Sequence, residues 1–268
     1  MNEYKKEYSI TYFWFFTFLF VISMILTVFS SNIISFMVFW ELMSISSFFL
    51  VIYEHKKYST IHTGIFYFIM THISGLTLMI MFALLYKYTG KLYFSDIQFA
   101  TLNTKQINTI FYLSIIGFGA KAGLIPLHAW LPKAHPAAPS NISSLMSGVM
   151  LKVAIYGFIL VNFVVVNNSN LINGLVLLII GLVTAVISIL NGIFQKDIKA
   201  LLAYSSAENV GLIFSTIALS IILNSQNIKV GALVALVAAL YHILNHSVFK
   251  SLLFANAGSV LFATSTKI

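Results

Sequence analysis

Two lysines sit where an apolar chain has least use for them. In residues 119–157, GAKAGLIPLHAWLPKAHPAAPSNISSLMSGVMLKVAIYG, Lys121 stands in an apolar segment that runs into Pro126, and Lys152 lies near the middle of the next one. An ammonium at bilayer depth costs about 2.5–3.5 kcal/mol on insertion scales, so two of them flanking a broken helix need a compensating use. A helix break inside a membrane is tolerated where the freed backbone is buried in protein or lines a wet cavity. Together they predict an ion path. Glu41, in FMVFWELMSISSFF, supplies the opposite charge, and its approach or withdrawal would bias the charge on Lys121. The competing readings are a structural Glu41 bonded to Ser44 or to a neighbouring helix, and a Lys121 stem that snorkels to an interface.

His242, His246 and Lys250 recur at i, i+4 and i+8, so one helical face carries three protonatable groups about a turn apart. Imidazole titrates near neutrality and carries a proton on either ring nitrogen, which suits a relay. The alternative is a pair of histidines satisfied by neighbouring Ser or Asn groups. The HxxxH spacing also resembles half of a zinc site, but no third obvious ligand accompanies it and Lys250 would repel a cation; no metal is expected. His72, in FIMTHISGLTL, and Glu208, in YSSAENVGLIF, are further possible proton-transfer groups. A satisfied core histidine competes for the first. For the second, Glu208 either feeds protons from the cytoplasmic side or pairs with a loop lysine. His128 and His135 belong to the hinge after the break and are either structural or mouth-lining. Asp197 with Lys196 and Lys199 reads most simply as a solvated loop cluster.

The elements that must position these groups follow from composition. Of 268 residues, 59% are hydrophobic and 8% charged, where a soluble domain carries about a quarter charged residues, so this is a membrane protein. With about 20 apolar residues per span, an all-α fold of about eight transmembrane helices is expected, one of them discontinuous. The spans are 12–29, 33–53, 62–86, 107–127, 142–166, 171–194, 201–223 and 230–262, in one membrane domain, with the last long enough to be tilted or kinked. The longest connection, 87–106, contains Gly90 and is expected at the interface. There is no cysteine, which excludes a disulfide frame or a thiolate metal site. All 15 Lys+Arg residues are lysines, so the bidentate clamp suited to phosphate is absent. The net charge of +8 is spread over loop ends and reads as orientation, not as a nucleic-acid footprint. Alternating the loops puts Lys5, Lys6, Lys56, Lys57, Lys133, Lys196, Lys199 and Lys267 on one side, against Lys87, Lys91, Lys105 and Lys229 on the other. Both termini are therefore expected in the cytoplasm of a cell-membrane protein.

Five ordered motifs carry a resemblance across nearly the whole chain: WELMSISSFFLV, KAGLIPLHAWLPKAHPAAPS, SSLMSGVMLKVAIYG, DIKALLAYSSAENVGLI and NHSVFKSLLFANAGSV. In this order they resemble the antiporter-like proton-translocating subunits of respiratory complex I, Mrp-type cation/proton antiporters and membrane-bound hydrogenases. AHPAAPS, SSAEN and KSLLFANAGSV look most like the large membrane subunit of hydrogenase 4 and formate hydrogenlyase. The resemblance implies that Glu41 and Lys121 are the family's pair, and that Lys152 with His242, His246 and Lys250 belongs to its central hydrophilic axis. It implies two inverted five-helix repeats, with 12–166 corresponding to the first and 171–262 to the first three helices of the second. The family continues for several more helices, so a fragment, half of a split gene and a naturally shortened subunit are the three expectations for this chain. Expected partners are other membrane subunits of a hydrogenase or complex I-like assembly, soluble redox subunits and the lipid bilayer. No nucleotide loop, iron–sulfur cysteine set or haem motif is present, so no cofactor is expected in this chain. An Mrp-type antiporter subunit and a non-pumping scaffold subunit are the alternatives.

Overall fold

The computed structural model describes residues 8–97, 101–264 and 266; Lys5, Lys6 and Lys267, on which part of the orientation reading rests, lie outside the described residues. The described residues are mostly helical, and eight stretches are long and apolar enough to cross a bilayer. It is an all-α, multi-pass membrane protein.

The first three spans are α1 (Ile10–Phe29), α2 (Ile33–Val51) and α3 (Tyr58–Thr89), followed by a short α4 (Phe94–Ile97). The discontinuous span consists of α5 (Thr104–Ala122), a 3-10 turn (Leu127–Trp130) and α6 (Leu131–Ala137). The next span opens with α7 (Ser140–Leu145), passes through a π turn (Met146–Met150) into α8 (Leu151–Ile159) and ends in a second π turn (Leu160–Val165). Three long helices complete it: α9 (Leu171–Ile193), α10 (Ile198–Ser225) and α11 (Lys229–Thr264).

Short polar residues end the apolar runs by capping them. Asn32 accepts from the Ser35 N–H at 2.9 Å, and Asn103 and Gln106 bond each other's backbone N–H at 2.9 and 3.0 Å in a reciprocal box. The connection after α3 folds back on α2, where the Ile33 N–H donates to Leu92 O at 3.1 Å and the Phe94 N–H to Ser31 O at 3.0 Å. Outside the bundle, large apolar side chains such as Phe15, Phe18, Ile179 and Leu233 stay exposed, the pattern of a lipid-facing surface. Helices α9 and α10 approach backbone to backbone. A Cβ on Gly211 would lie 2.6 Å from both Gly181 O and Ala185 N, so the contact requires glycine, as close membrane-helix crossings do.

The break differs from its expected position. Helix α5 stops at Ala122, with Gly123 in the left-handed region at φ +93° and the N–H groups of Gly123 and Leu124 both donating to Gly119 O at 2.8 Å. Pro126 follows at the start of the 3-10 turn. Glycine makes the stop because it adopts that conformation without a Cβ clash, and the proline, lacking an N–H, keeps the helix from resuming. The freed groups are satisfied by side chains: Trp130 Nε1 donates to Ala120 O at 2.8 Å, and Ile125 N donates to Thr184 Oγ1 of α9 at 3.1 Å. The span expected over 142–166 is present and contains two π turns, and the last helix is unbroken. At 1.5 Å per residue a helix as long as α11 exceeds a hydrocarbon core of about 30 Å.

Candidate functional site

Lys121, on the last turn of α5, is fully buried. Its Nζ donates to Ser44 Oγ of α2 at 2.8 Å and lies 5.7 Å from the centre of the Trp40 ring. Ser44 in turn donates to Trp40 O at 3.0 Å, so the hydroxyl is held as an acceptor for the ammonium. A hydroxyl and an aromatic face replace part of the lost hydration, which is what a buried cation needs.

Glu41 lies one turn before Ser44 on α2, yet among the described residues it makes no ion pair with Lys121 within 4.0 Å. Its Oε2 sits 3.8 Å from His72 Nε2 of α3 instead. The carboxylate occupies the space where a Cβ on Gly75 would be, so the missing side chain at that glycine makes its berth. The structure thus brings together Glu41 and His72, two groups that the sequence could nominate only separately.

A second cluster surrounds Lys152. Its Nζ donates at 2.6 Å to Ser147 O, a carbonyl of the first π turn, where the wide turn alters the regular ladder. Ser147 Oγ bonds Ser206 Oγ of α10 at 2.8 Å, and Ser247 of α11 donates to Gly148 O. Lys250 is buried on α11 and donates to Leu202 O at 3.2 Å. His246 is fully buried with neither ring nitrogen partnered among the described residues. Its ring lies parallel to that of His242 with centres 6.3 Å apart, and His242 Nε2 is 3.0 Å from Asn209 Oδ1. Glu208 precedes Asn209 on α10, the helix whose Leu202 O takes the Lys250 ammonium.

Between the clusters runs a narrow link. Ser47 donates to Ser44 O at 2.9 Å, Ser47 Oγ and Tyr67 OH are 2.6 Å apart, and Tyr67 OH lies 3.6 Å from the sulfur of Met150, two residues before Lys152. Trp130 closes over Tyr67 with ring centres 5.1 Å apart.

One sequence reading is corrected. Lys199 does not belong to a solvated cluster. Lys196 is exposed and Asp197 caps α10, accepting from the Lys199 and Ala200 N–H groups at 2.8 and 3.2 Å, but Lys199 is buried. Its ammonium donates to Ala138 O at 2.6 Å and His135 O at 3.3 Å, carbonyls at the end of α6 beside Pro136 and Pro139. Helix-end carbonyls need donors, and a long lysine from the neighbouring helix supplies one. His135, which the sequence left among hinge residues, is fully buried as well.

Among the described residues, eight helices long and apolar enough to cross a bilayer enclose buried lysines and histidines, which defines an integral membrane protein. The chain belongs to the family described as NADH:quinone oxidoreductase/Mrp antiporter, TM, which matches residues 30–267. It is 39% identical over 249 residues to hydrogenase-4 component B of Escherichia coli (strain K12), covering 92% of this chain and 37% of that protein. Formate hydrogenlyase subunit 3 of the same organism is 35% identical over 242 residues, covering 88% and 38%. In the structure of the Mrp complex from Dietzia sp. DQ12-45-1b, one chain aligns with a TM-score of 0.81 at 28% identity, over 92% of this chain and 26% of that one. The chain therefore spans less than two-fifths of the length of these curated relatives.

Proposed function

We propose that this chain carries protons as a membrane subunit of a redox-driven complex of the membrane-bound hydrogenase kind, with both termini in the cytoplasm. The observation that supports the reading best is that Lys121, Lys152, His246 and Lys250 are all buried inside the bundle and none faces lipid. Protons move between Lys121 and Lys152 through bridging water beside the Ser44–Ser47–Tyr67 link, and between Lys152 and His246, His242 and Lys250. Glu41, alternating between His72 and Lys121, sets the charge that Lys121 can hold. Other membrane subunits drive that shift, and soluble redox subunits hold the cofactors. Similarity to hydrogenase-4 component B and to formate hydrogenlyase subunit 3 supports this assignment. The test is proton uptake by inverted vesicles containing the assembled complex. Uptake started by an electron donor and indifferent to sodium is expected. The likeness to an Mrp structure favours a second reading, in which proton flux depends on sodium and needs no donor.

The Glu41 berth gives a separate expectation. In Gly75→Ala, the new methyl group meets Glu41 Oε1 and lies 3.0 Å from its Cδ, so the carboxylate is displaced from its berth beside His72. Proton uptake is expected to fall about fivefold, and Glu41→Gln on that background to cost little more, because both changes act on one coupled pair. Full additivity in initial uptake rates would refute the coupling.

A further inference from the structure

At the end of the bundle that carries Lys57, Lys133 and Lys199, a cavity of about 420 Å³ opens between the start of α3, the α6–α7 hinge and the first turn of α10. Glu54, Lys57, Thr63, Lys133, Ser140 and Lys199 line it, with Glu54 and Lys57 ion-paired. This is the end that the lysine distribution assigns to the cytoplasm. Lys199 forms part of the lining, and its ammonium donates to His135 O, so the cavity reaches the backbone of a fully buried histidine.

The His135 ring is not an ordinary core aromatic. It stacks on Phe254 of α11 with centres 4.7 Å apart, and Trp130 is 6.5 Å away on a nearly parallel plane. Neither ring nitrogen finds a partner among the described residues. Burying imidazole nitrogens without partners is costly, and a phenylalanine would fill the same slot at no such cost. Phe254 lies one turn beyond Lys250 on α11, so the His135 ring stacks on the helix that carries Lys250 while its own carbonyl takes the Lys199 ammonium. The histidine therefore stands between the cavity and the inner cluster.

We propose that this cavity is the aqueous mouth from which protons are drawn, and that His135 passes them from the cavity wall at Lys199 to Lys250. The ring accepts a proton at one nitrogen and releases one from the other, with bridging water completing each hand-over, so no net charge stays behind. This rests on the proton-carrying reading above.

The experiment compares His135→Ala with Lys121→Ala in vesicles containing the assembled complex, measuring proton uptake with and without added imidazole. His135→Ala is expected to cut uptake about tenfold, and imidazole entering through the cavity to restore it severalfold, whereas Lys121→Ala gains nothing from imidazole. Unchanged uptake in His135→Ala, or a loss that imidazole does not relieve, overturns the route. If His135→Ala alone leaves uptake intact, only this mouth is wrong; if Lys121→Ala does so too, the proton-carrying reading falls with it. Should His135→Ala fail to assemble, Thr63→Cys in this cysteine-free chain carries the test. A bulky thiol reagent applied from the cytoplasmic face is then expected to lower uptake at least fivefold relative to the unsubstituted complex, and an unchanged rate overturns the proposal.

Discussion

Lys121→Met is expected to lower donor-driven proton uptake by about 100-fold, equivalent to about 2.7 kcal/mol of barrier at 1.36 kcal/mol per tenfold. The thioether keeps most of the lysine stem in its fully buried slot beside Trp40 while removing the ammonium that bonds Ser44. Methionine suits this use because it is unbranched and adaptable, so the helix end at Gly123 should survive. Lys121→Arg separates a proton carrier from a structural charge. Guanidinium retains the positive charge and can bond the Ser44 hydroxyl, but it does not give up its proton. A carrier is therefore lost in both variants, whereas a residue needed only for charge would work in the arginine form. Uptake per assembled complex, quantified beside the electron-transfer rate, decides between them. Near-normal uptake with arginine would reduce Lys121 to a structural cation, and unaltered uptake with Lys121 and Lys152 both replaced would leave the chain a scaffold.

The spans were legible because lipid imposes a length on every apolar segment and leaves polar residues at the ends. Their limits drifted where apolar composition and helical geometry part company. Helix α3 begins at Tyr58, before the expected 62, and α5 ends at Ala122 because Gly123 stops the helix before the proline must. The π turns had no sequence signature: one residue added to a turn leaves the hydrophobic run intact. Yet the first of them presents Ser147 O to Lys152, so the chemistry of that lysine depends on a feature hidden in the sequence. Individual ionisable residues stood out against an apolar background, whereas their partners did not. Glu41 and His72 belong to different helices, and only helix packing with the gap at Gly75 joins them. Lys199 misled for the opposite reason. Its neighbours Lys196 and Asp197 gave it the look of a loop residue, but its side chain turns inward toward carbonyls at the hinge. The available clue was the AHPAAPS segment itself, whose prolines withhold N–H groups and leave nearby carbonyls in need of another donor.

Lys152→Met and Lys250→Met are each expected to cut uptake about 100-fold, and the double variant to fall no lower than the weaker single one. The reason is arrangement in series. Lys152 Nζ reaches Ser147 O in the first π turn, which Ser247 of α11 also bonds at Gly148 O, while Lys250 Nζ reaches Leu202 O on α10, and His246 lies one turn before Lys250 on α11. Groups that work as one unit lose the same function when any member is removed, so their effects do not add. Two parallel routes would behave otherwise, since each single change would spare the other route and only the double would be severe. Structural damage has its own signature. Ser147 O would lose its ammonium partner in the first variant, a change worth about 1–3 kcal/mol that would appear as reduced assembly. Uptake normalised to assembled complex removes that contribution. A double variant about 100-fold below either single would refute a single path through Lys152 and Lys250, whatever each lysine does alone.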